Sequence, residues 1–384
     1  MSMKEKFIVR NVIILVLVIA ICFISGKDFL RMHETDPIST SNQAISEIKM
    51  LSDYSPGLIG TDADTEVYVL KGEKPGASML ILGGTHSNEI AGMLSAVTYI
   101  ENAIVEEGTL YIIPRANNSG YTHTAPLWGM MDIIDFKLAN GSVREFRVGS
   151  RLTNPINQWP DPNYFNGNSG RELKYGEVAE VRNLNRNHPG DISGTLTEKI
   201  NYGISNLINT ELIDITYDAH EAGPEFLRVN YLIAHERAMS IGSMAVMNAN
   251  IEGLPFAIDI SGSTSYGLSH RALGNNTETL ATLFETLNPA QGSRRGKMTK
   301  ALVLGGFDDN YVQITDRGLL SSGELTTDGV SINKRSANHM VMCRELMTAF
   351  NDDSQDRKIT IFNMPSYDDL INKGLENILL PINN

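Results

Sequence analysis

Leu80-Ile81-Leu82-Gly83-Gly84-Thr85-His86-Ser87-Asn88-Glu89-Ile90-Ala91-Gly92 joins a short apolar run to a helical pattern. Met79 to Leu82 is long enough for a buried strand. Gly83 and Gly84 end that run and let the backbone turn tightly. Beyond Glu89, the residues Ile90, Leu94, Val97 and Ile100 recur at helical spacing. His86 and Glu89 therefore sit where a strand passes into a helix, the place at which open α/β sheets bind their ligands. An imidazole and a carboxylate in a His-x-x-Glu pair can face one point, and both are zinc ligands.

Working outward, the alternation continues. Residues 27–60 are polar, with a helix expected near Ser41 to Met50 and turn signals at Ser55-Pro56-Gly57. Glu66 to Lys71 reads as a strand, Ser78 to Leu82 as the strand already described, Glu89 to Ile104 as a helix and Leu110 to Pro114 as a strand. That β–α–β order implies parallel strands covered by helices. Further on come a helix at Thr195 to Leu212, strands at Ile213 to Asp218 and Val229 to Ala234, a helix at His235 to Asn248, a strand at Thr279 to Phe284 and a helix at Asn338 to Phe350. The expected class is α/β, a mixed, largely parallel twisted sheet with helices on both faces. Between these elements, 117–180 is rich in Gly, Asn, Pro and aromatics, including Trp128 and Trp159, without clear periodicity. So long a stretch is read as an inserted loop region that walls a pocket.

The composition is that of a globular chain: 384 residues, 42% hydrophobic and 20% charged. With 32 Lys and Arg against 45 Asp and Glu, the net charge is −13. The basic footprint of a nucleic-acid binder is missing. The N-terminus differs from the rest. Lys4, Lys6 and Arg10 precede an unbroken apolar run from Val12 to Ile24. This is the pattern of an export signal, and the run by itself is short for a spanning helix of about 20 residues. Residues 1–26 are read as an uncleaved signal anchor or a cleaved signal peptide. In either case the positive end stays in the cytoplasm and the body is exported, either tethered to the membrane by this helix or secreted. The chain has 2 cysteines, Cys22 and Cys343, with Cys22 inside the apolar run, so the body has no internal disulfide. Its stability has to come from a large core.

Three further stretches carry chemistry. In Ile215-Thr-Tyr-Asp218-Ala-His220-Glu221, His220 falls at a strand end, and Asp218 lies on the same side of the extended chain. Asp218 can hold the imidazole through its other nitrogen. His86, Glu89 and His220 together form a His₂Glu set, which leaves a fourth zinc position open. In Val181-Arg182-Asn183-Leu184-Asn185-Arg186-Asn187-His188-Pro189-Gly190, Arg186 can present a planar fork to a carboxylate and Asn185 can add a hydrogen bond. Glu285, at the end of an apolar run, fits a general base. Glu221, beside the third ligand, is the other candidate base.

These four sites, in this order, resemble the succinylglutamate desuccinylase and aspartoacylase group of zinc hydrolases, related to the zinc carboxypeptidases. The resemblance runs from about Glu66 to Gly305. It matches the family's His-x-x-Glu at His86 and Glu89, its Asn-Arg pair at Asn185 and Arg186, its Asp-x-His at Asp218 and His220, and its catalytic Glu-Thr at Glu285 and Thr286. It implies a zinc carboxypeptidase-like fold over 66–384, preceded by an extension at 27–65. It also implies about one Zn²⁺ per chain and Glu-assisted attack of water on an amide next to a carboxylate. The substrate would be a small N-acyl amino acid, or a peptide cut as by a carboxypeptidase. The alternative is a membrane-tethered binding protein that keeps the fold without catalysis. The family also has an Arg that polarises the scissile carbonyl. In the aspartoacylases it falls where this chain has Val178, and Arg182 and Arg171 are the nearby candidates. The insert and the export segment are foreign to the small cytoplasmic members.

Overall fold

The computed structural model describes residues 2–124, 132–173, 177–320, 329–354 and 356–382. Trp128 lies outside them. The chain divides into two units, Met1–Asp36 and Pro37–Asn384.

The first unit is one helix, α1 (Met3–Arg31), of 29 residues. Ser2 caps it: its hydroxyl accepts from the Glu5 N–H, and the Glu5 carboxylate accepts from the Ser2 N–H at 2.7 Å. The helix continues past both ends of the Val12–Ile24 run. Its most apolar window has a mean hydropathy of 3.0, so by length and composition it can cross a membrane.

The second unit is built on a nine-stranded sheet. Strands β1 (Ile45–Met50), β2 (Glu66–Lys71) and β3 (Lys74–Leu82) come first, then helix α2 (Ile90–Asn102) and β4 (Ile104–Ile113). The insert holds α3 (Asn118–Tyr121) and two hairpins, β5 (Ile133–Lys137) with β6 (Val143–Arg147) and β7 (Phe165–Asn166) with β8 (Glu172–Leu173). Then follow α4 (Leu196–Glu211), β9 (Ile215–Ala222), β10 (Tyr231–Ala234), α5 (Met239–Ile251), β11 (Ala257–Ile260), α6 (Ser269–Asn276) and β12 (Leu280–Leu287). The chain closes with α7 (Lys300–Gly305), α8 (Asp309–Asp316), α9 (Ile332–Asp353), β13 (Thr360–Phe362) and α10 (Tyr367–Lys373).

The spatial order is β1-β2-β4-β3-β9-β12-β10-β11, with β13 also paired to β4. β4, β3, β9 and β12 run parallel and form the centre, while β1, β2, β10 and β13 join by antiparallel pairs. The sheet is therefore mixed and largely parallel at its core, as expected. One face carries Met79, Ile81, Tyr217, Ala219 and Phe284, packed on apolar residues of α2, α5 and α9. The other carries Leu80, Leu82, Ile113 and Ala281, packed on Ile200, Ile204 and Leu207 of α4 and Leu273 of α6. Gly84 adopts φ +66°, and a Cβ there would strike the Tyr121 hydroxyl. Gly92 brings α2 against the backbone of Ala219, closer than any side chain would allow.

Three local readings change. The helix expected near Ser41 to Met50 is instead the edge strand β1, paired with β2 through Ile48↔Tyr68 and Lys49↔Val67. Ile45 and Ile48 mimic helical spacing, but Ile48 is 45% exposed and the backbone pairing with β2 decides the conformation. The stretch from His235 begins with a 3₁₀ turn at Glu236–Ala238 before α5. β9 and β12 both run further than read, to Ala222 and Leu287, so His220 and Glu285 lie inside strands rather than beyond them.

Candidate active site

β3, β9 and β12 are parallel neighbours, and the chemistry gathers towards their C-terminal ends. His86 and Glu89 lie on the turn after β3. Glu89 occupies the N-cap position of α2 without capping it, so its carboxylate is free to turn into the site. His220 comes from β9, in register with Glu285 on β12. His86, Glu89 and His220 are each buried, and their ligand atoms all lie within 4.8 Å of one another. His86 Nδ1 is 2.7 Å from Glu89 Oε1, and His220 Nδ1 is 2.8 Å from Glu89 Oε2. The two rings meet edge to face, with centroids 4.7 Å apart. Two imidazole nitrogens converging on one carboxylate form a donor set that fits Zn²⁺.

The outer nitrogens are held from behind. His86 Nε2 lies 3.0 Å from Asn183 Oδ1, and His220 Nε2 lies 2.9 Å from Asp218 Oδ2. Asp218 in turn accepts from the hydroxyls of Thr85 and Ser269. Such backing fixes ring orientation and leaves the two Nδ1 atoms aimed at the same point. Glu89 also accepts from the backbone N–H of Glu221 at 3.1 Å. The Glu221 carboxylate is fully engaged: one oxygen accepts from Arg335 Nε at 2.6 Å, the other from the Ala91 N–H at 3.0 Å. Glu221 is thus an anchor for the start of α2, held through both oxygens.

The electrostatics follow from burial and pairing. Burial, and then Arg151, push His86 down to about 4 against the pull of Glu89. For His220, burial works against the charged form, but Asp218 and Glu89 outweigh it and hold the imidazole well above its usual range. Burial would raise Asp218, yet His220 and its hydrogen bonds bring it down to about 2. Glu285 goes the other way. Burial pushes it up to about 7, His220 opposing and Glu89 adding to the rise. Glu89 and Glu285 are therefore driven apart, Glu89 well below the ordinary range and Glu285 near neutrality.

His86, Glu89 and Glu285 line a cavity of about 610 Å³ together with Arg151, Asn185, Arg186 and His270, with an apolar wall from Ile233, Leu268, Leu283 and Met298. Asn185 and Arg186 sit on a 3₁₀ turn, Leu184–Arg186, where the periodicity gave only a loop. Asn185 Oδ1 accepts from the Ser269 N–H at 2.8 Å, which fixes the amide against the start of α6. Arg186 is lowered to about 10 by burial and by nearby Arg151, so it stays charged at neutral pH.

The arginine at the triad is neither of the two candidates read from the sequence. Arg182 is clamped away from it: Nε and Nη2 lie 2.7 and 3.1 Å from the Asp161 carboxylate, and Nη1 donates to the Thr153 carbonyl at 2.8 Å. Neither Arg182 nor Arg171 is among the described residues lining the cavity. Arg151 is, with Nη1 3.0 Å from Glu89 Oε1. It follows β6, and the backbone of Gly149 donates to the Ser87 carbonyl at 3.0 Å, docking the insert onto the loop that carries His86. Arg151, Asn183, Ser269 and His270 were not singled out from the sequence. Asn183 lies inside the Asn-Leu-Asn-Arg block and could have been suspected there. Arg151 has no local motif.

No family model matches the chain, and no curated protein matches it. Among solved structures, it is similar to a succinylglutamate desuccinylase from Silicibacter sp., at 15% identity and a TM-score of 0.43 over 87% of this chain and 75% of that one. It is similar to a metallo-carboxypeptidase from Burkholderia cenocepacia, at 11% identity and a TM-score of 0.44 over 86% and 69%. It is also similar to the ectoine utilization protein EutE (DoeB) from Ruegeria pomeroyi, at 16% identity and a TM-score of 0.42 over 79% of this chain. The chain spans 64% of that protein's length.

Proposed function

We propose that this protein is a zinc-dependent hydrolase that cleaves an amide bond next to a carboxylate. The observation that carries the reading is the convergence of His86, Glu89 and His220, with Glu285 in register with His220 on the neighbouring strand. A bound Zn²⁺ would supply Lewis-acid polarisation of the scissile carbonyl and lower the pKa of the attacking water. The chain's own residues would do the rest. Arg186 and Asn185 grip the substrate carboxylate, a planar fork and an amide suited to that anion. Glu285 takes a proton from the water as the new C–O bond forms, and delivers it to the nitrogen as the C–N bond breaks. Arg151, on the cavity wall, faces the negative charge that develops on the carbonyl oxygen. The apolar wall of Ile233, Leu268 and Leu283 accepts uncharged substrate surface.

An N-acyl amino acid and the C-terminal residue of a peptide both present an amide beside a carboxylate, and both fit. A near-neutral base beside the triad favours catalysis over an inert binding fold. The test is metal analysis of the purified chain, followed by hydrolysis of a panel of N-acyl amino acids and cell-wall-type peptides. Retained zinc and turnover of at least one substrate class are expected. A protein that holds no zinc, or that holds it and cleaves nothing across the panel, would overturn the reading.

A further inference from the structure

We propose that Glu180 is an internal stand-in for the substrate carboxylate, paired with Arg186 through Nε until a ligand displaces it. The inference rests on the reading of Arg186 as the carboxylate grip. Glu180 belongs to the 3₁₀ turn Val178–Arg182 and lines the cavity. Its Oε2 lies 3.4 Å from Arg186 Nε. The pair is half-buried, with side chains 22% and 30% exposed, so solvent screens it less than a surface pair. Arg186 Nη1 is meanwhile turned onto the Asn185 carbonyl at 2.6 Å.

A second carboxylate at this cation meets the charge of the first, so an incoming carboxylate competes with Glu180 for Arg186. Glu180 has somewhere to stay when that happens. The same Oε2 accepts from Asn183 Nδ2 at 2.8 Å, and Asn183 is itself fixed by its contact with His86. Glu180 can therefore stay on Asn183 while Arg186 turns to the incoming carboxylate, and the pair re-forms as the carboxylate-bearing product leaves. Glu180 would weaken carboxylate binding and hasten release, and it would have no such effect on a neutral ligand, which forms no ion pair with Arg186.

The experiment is calorimetric titration of the full chain with 4-methylpentanoate and with its amide, 4-methylpentanamide. The parent, Glu180→Gln, Glu180→Ala and Arg186→Lys are compared, each checked for an unchanged thermal melt. Both Glu180 variants should bind the carboxylate more tightly by roughly two- to fivefold, the scale of a modest ion pair, and the amide with unchanged affinity. Arg186→Lys should lose carboxylate affinity. If it does, and the Glu180 variants bind the carboxylate equally or more weakly, Glu180 supports rather than competes with binding, and this inference falls while the site reading stands. If Arg186→Lys binds the carboxylate as the parent does, the reading of Arg186 is itself wrong.

Discussion

On the proposed reading, Glu285 carries the chemistry that separates a hydrolase from a metal-binding scaffold. Glu285→Gln keeps the shape but cannot accept a proton, and general-base catalysis contributes roughly 10²–10⁴-fold. The variant should keep its zinc and its fold and lose activity on that scale, together with the acidic limb of the kcat/KM profile. Full activity in a folded, zinc-loaded variant would assign the base elsewhere. The same residue leaves a mark on stability. Its folded value is raised to about 7 from an ordinary 4.5, chiefly by burial. The metal-free folded state thus holds a proton that the unfolded state has released between those pH values. The contribution of this group to stability is full below pH 4.5 and is lost as pH rises through 7. Metal-free Glu285→Gln should be more stable than the parent at pH 8 by roughly 1–3 kcal/mol and indistinguishable at pH 4, read from urea melts at each pH. The proposed ligands predict a third result. His220 is held protonated above its usual range by Asp218 and Glu89, and a metal ligand must be neutral. Zinc uptake should release protons, and affinity should drop as pH falls. His86→Ala or His220→Ala should lower affinity strongly, as followed by competition with a chelator.

At the scale of elements, the insert contributes Ser150, Arg151, Leu152 and Glu180 to the cavity wall. The β5–β6 hairpin brings Arg151 to Glu89, while Arg182 ties the insert to itself through Asp161 and Thr153. The two arginines should therefore fail in different ways. Arg151→Met should depress kcat with little change in melting temperature. Arg182→Met strands the Asp161 carboxylate and a carbonyl, and should cost roughly 2–3 kcal/mol of stability. Steady-state kinetics beside thermal melts decide the matter; the opposite pattern would return Arg182 to the site.

For the whole molecule, α1 is a separate unit with an apolar window and cations before it. We expect it to place the body outside the cytoplasm, anchored or released. Protease added to spheroplasts should digest the body, and full protection until lysis would reverse that orientation.

The α/β class was legible in the order of apolar runs, because buried strands and helices impose periods that survive in one dimension. The strand–turn–helix after Leu82 was legible too, as were the residue types of a His₂Glu set, since ligand chemistry restricts which side chains can serve. The Ser41–Met50 helix was misread because edge pairing with β2, a non-local contact, overrode local spacing. Arg151 was invisible, and Arg182 and Arg171 stood as the candidates instead, for the same kind of reason. A cation's role depends on which carboxylate it meets, and Glu89 and Asp161 are brought to Arg151 and Arg182 by the folding of the insert, not by their spacing in the chain.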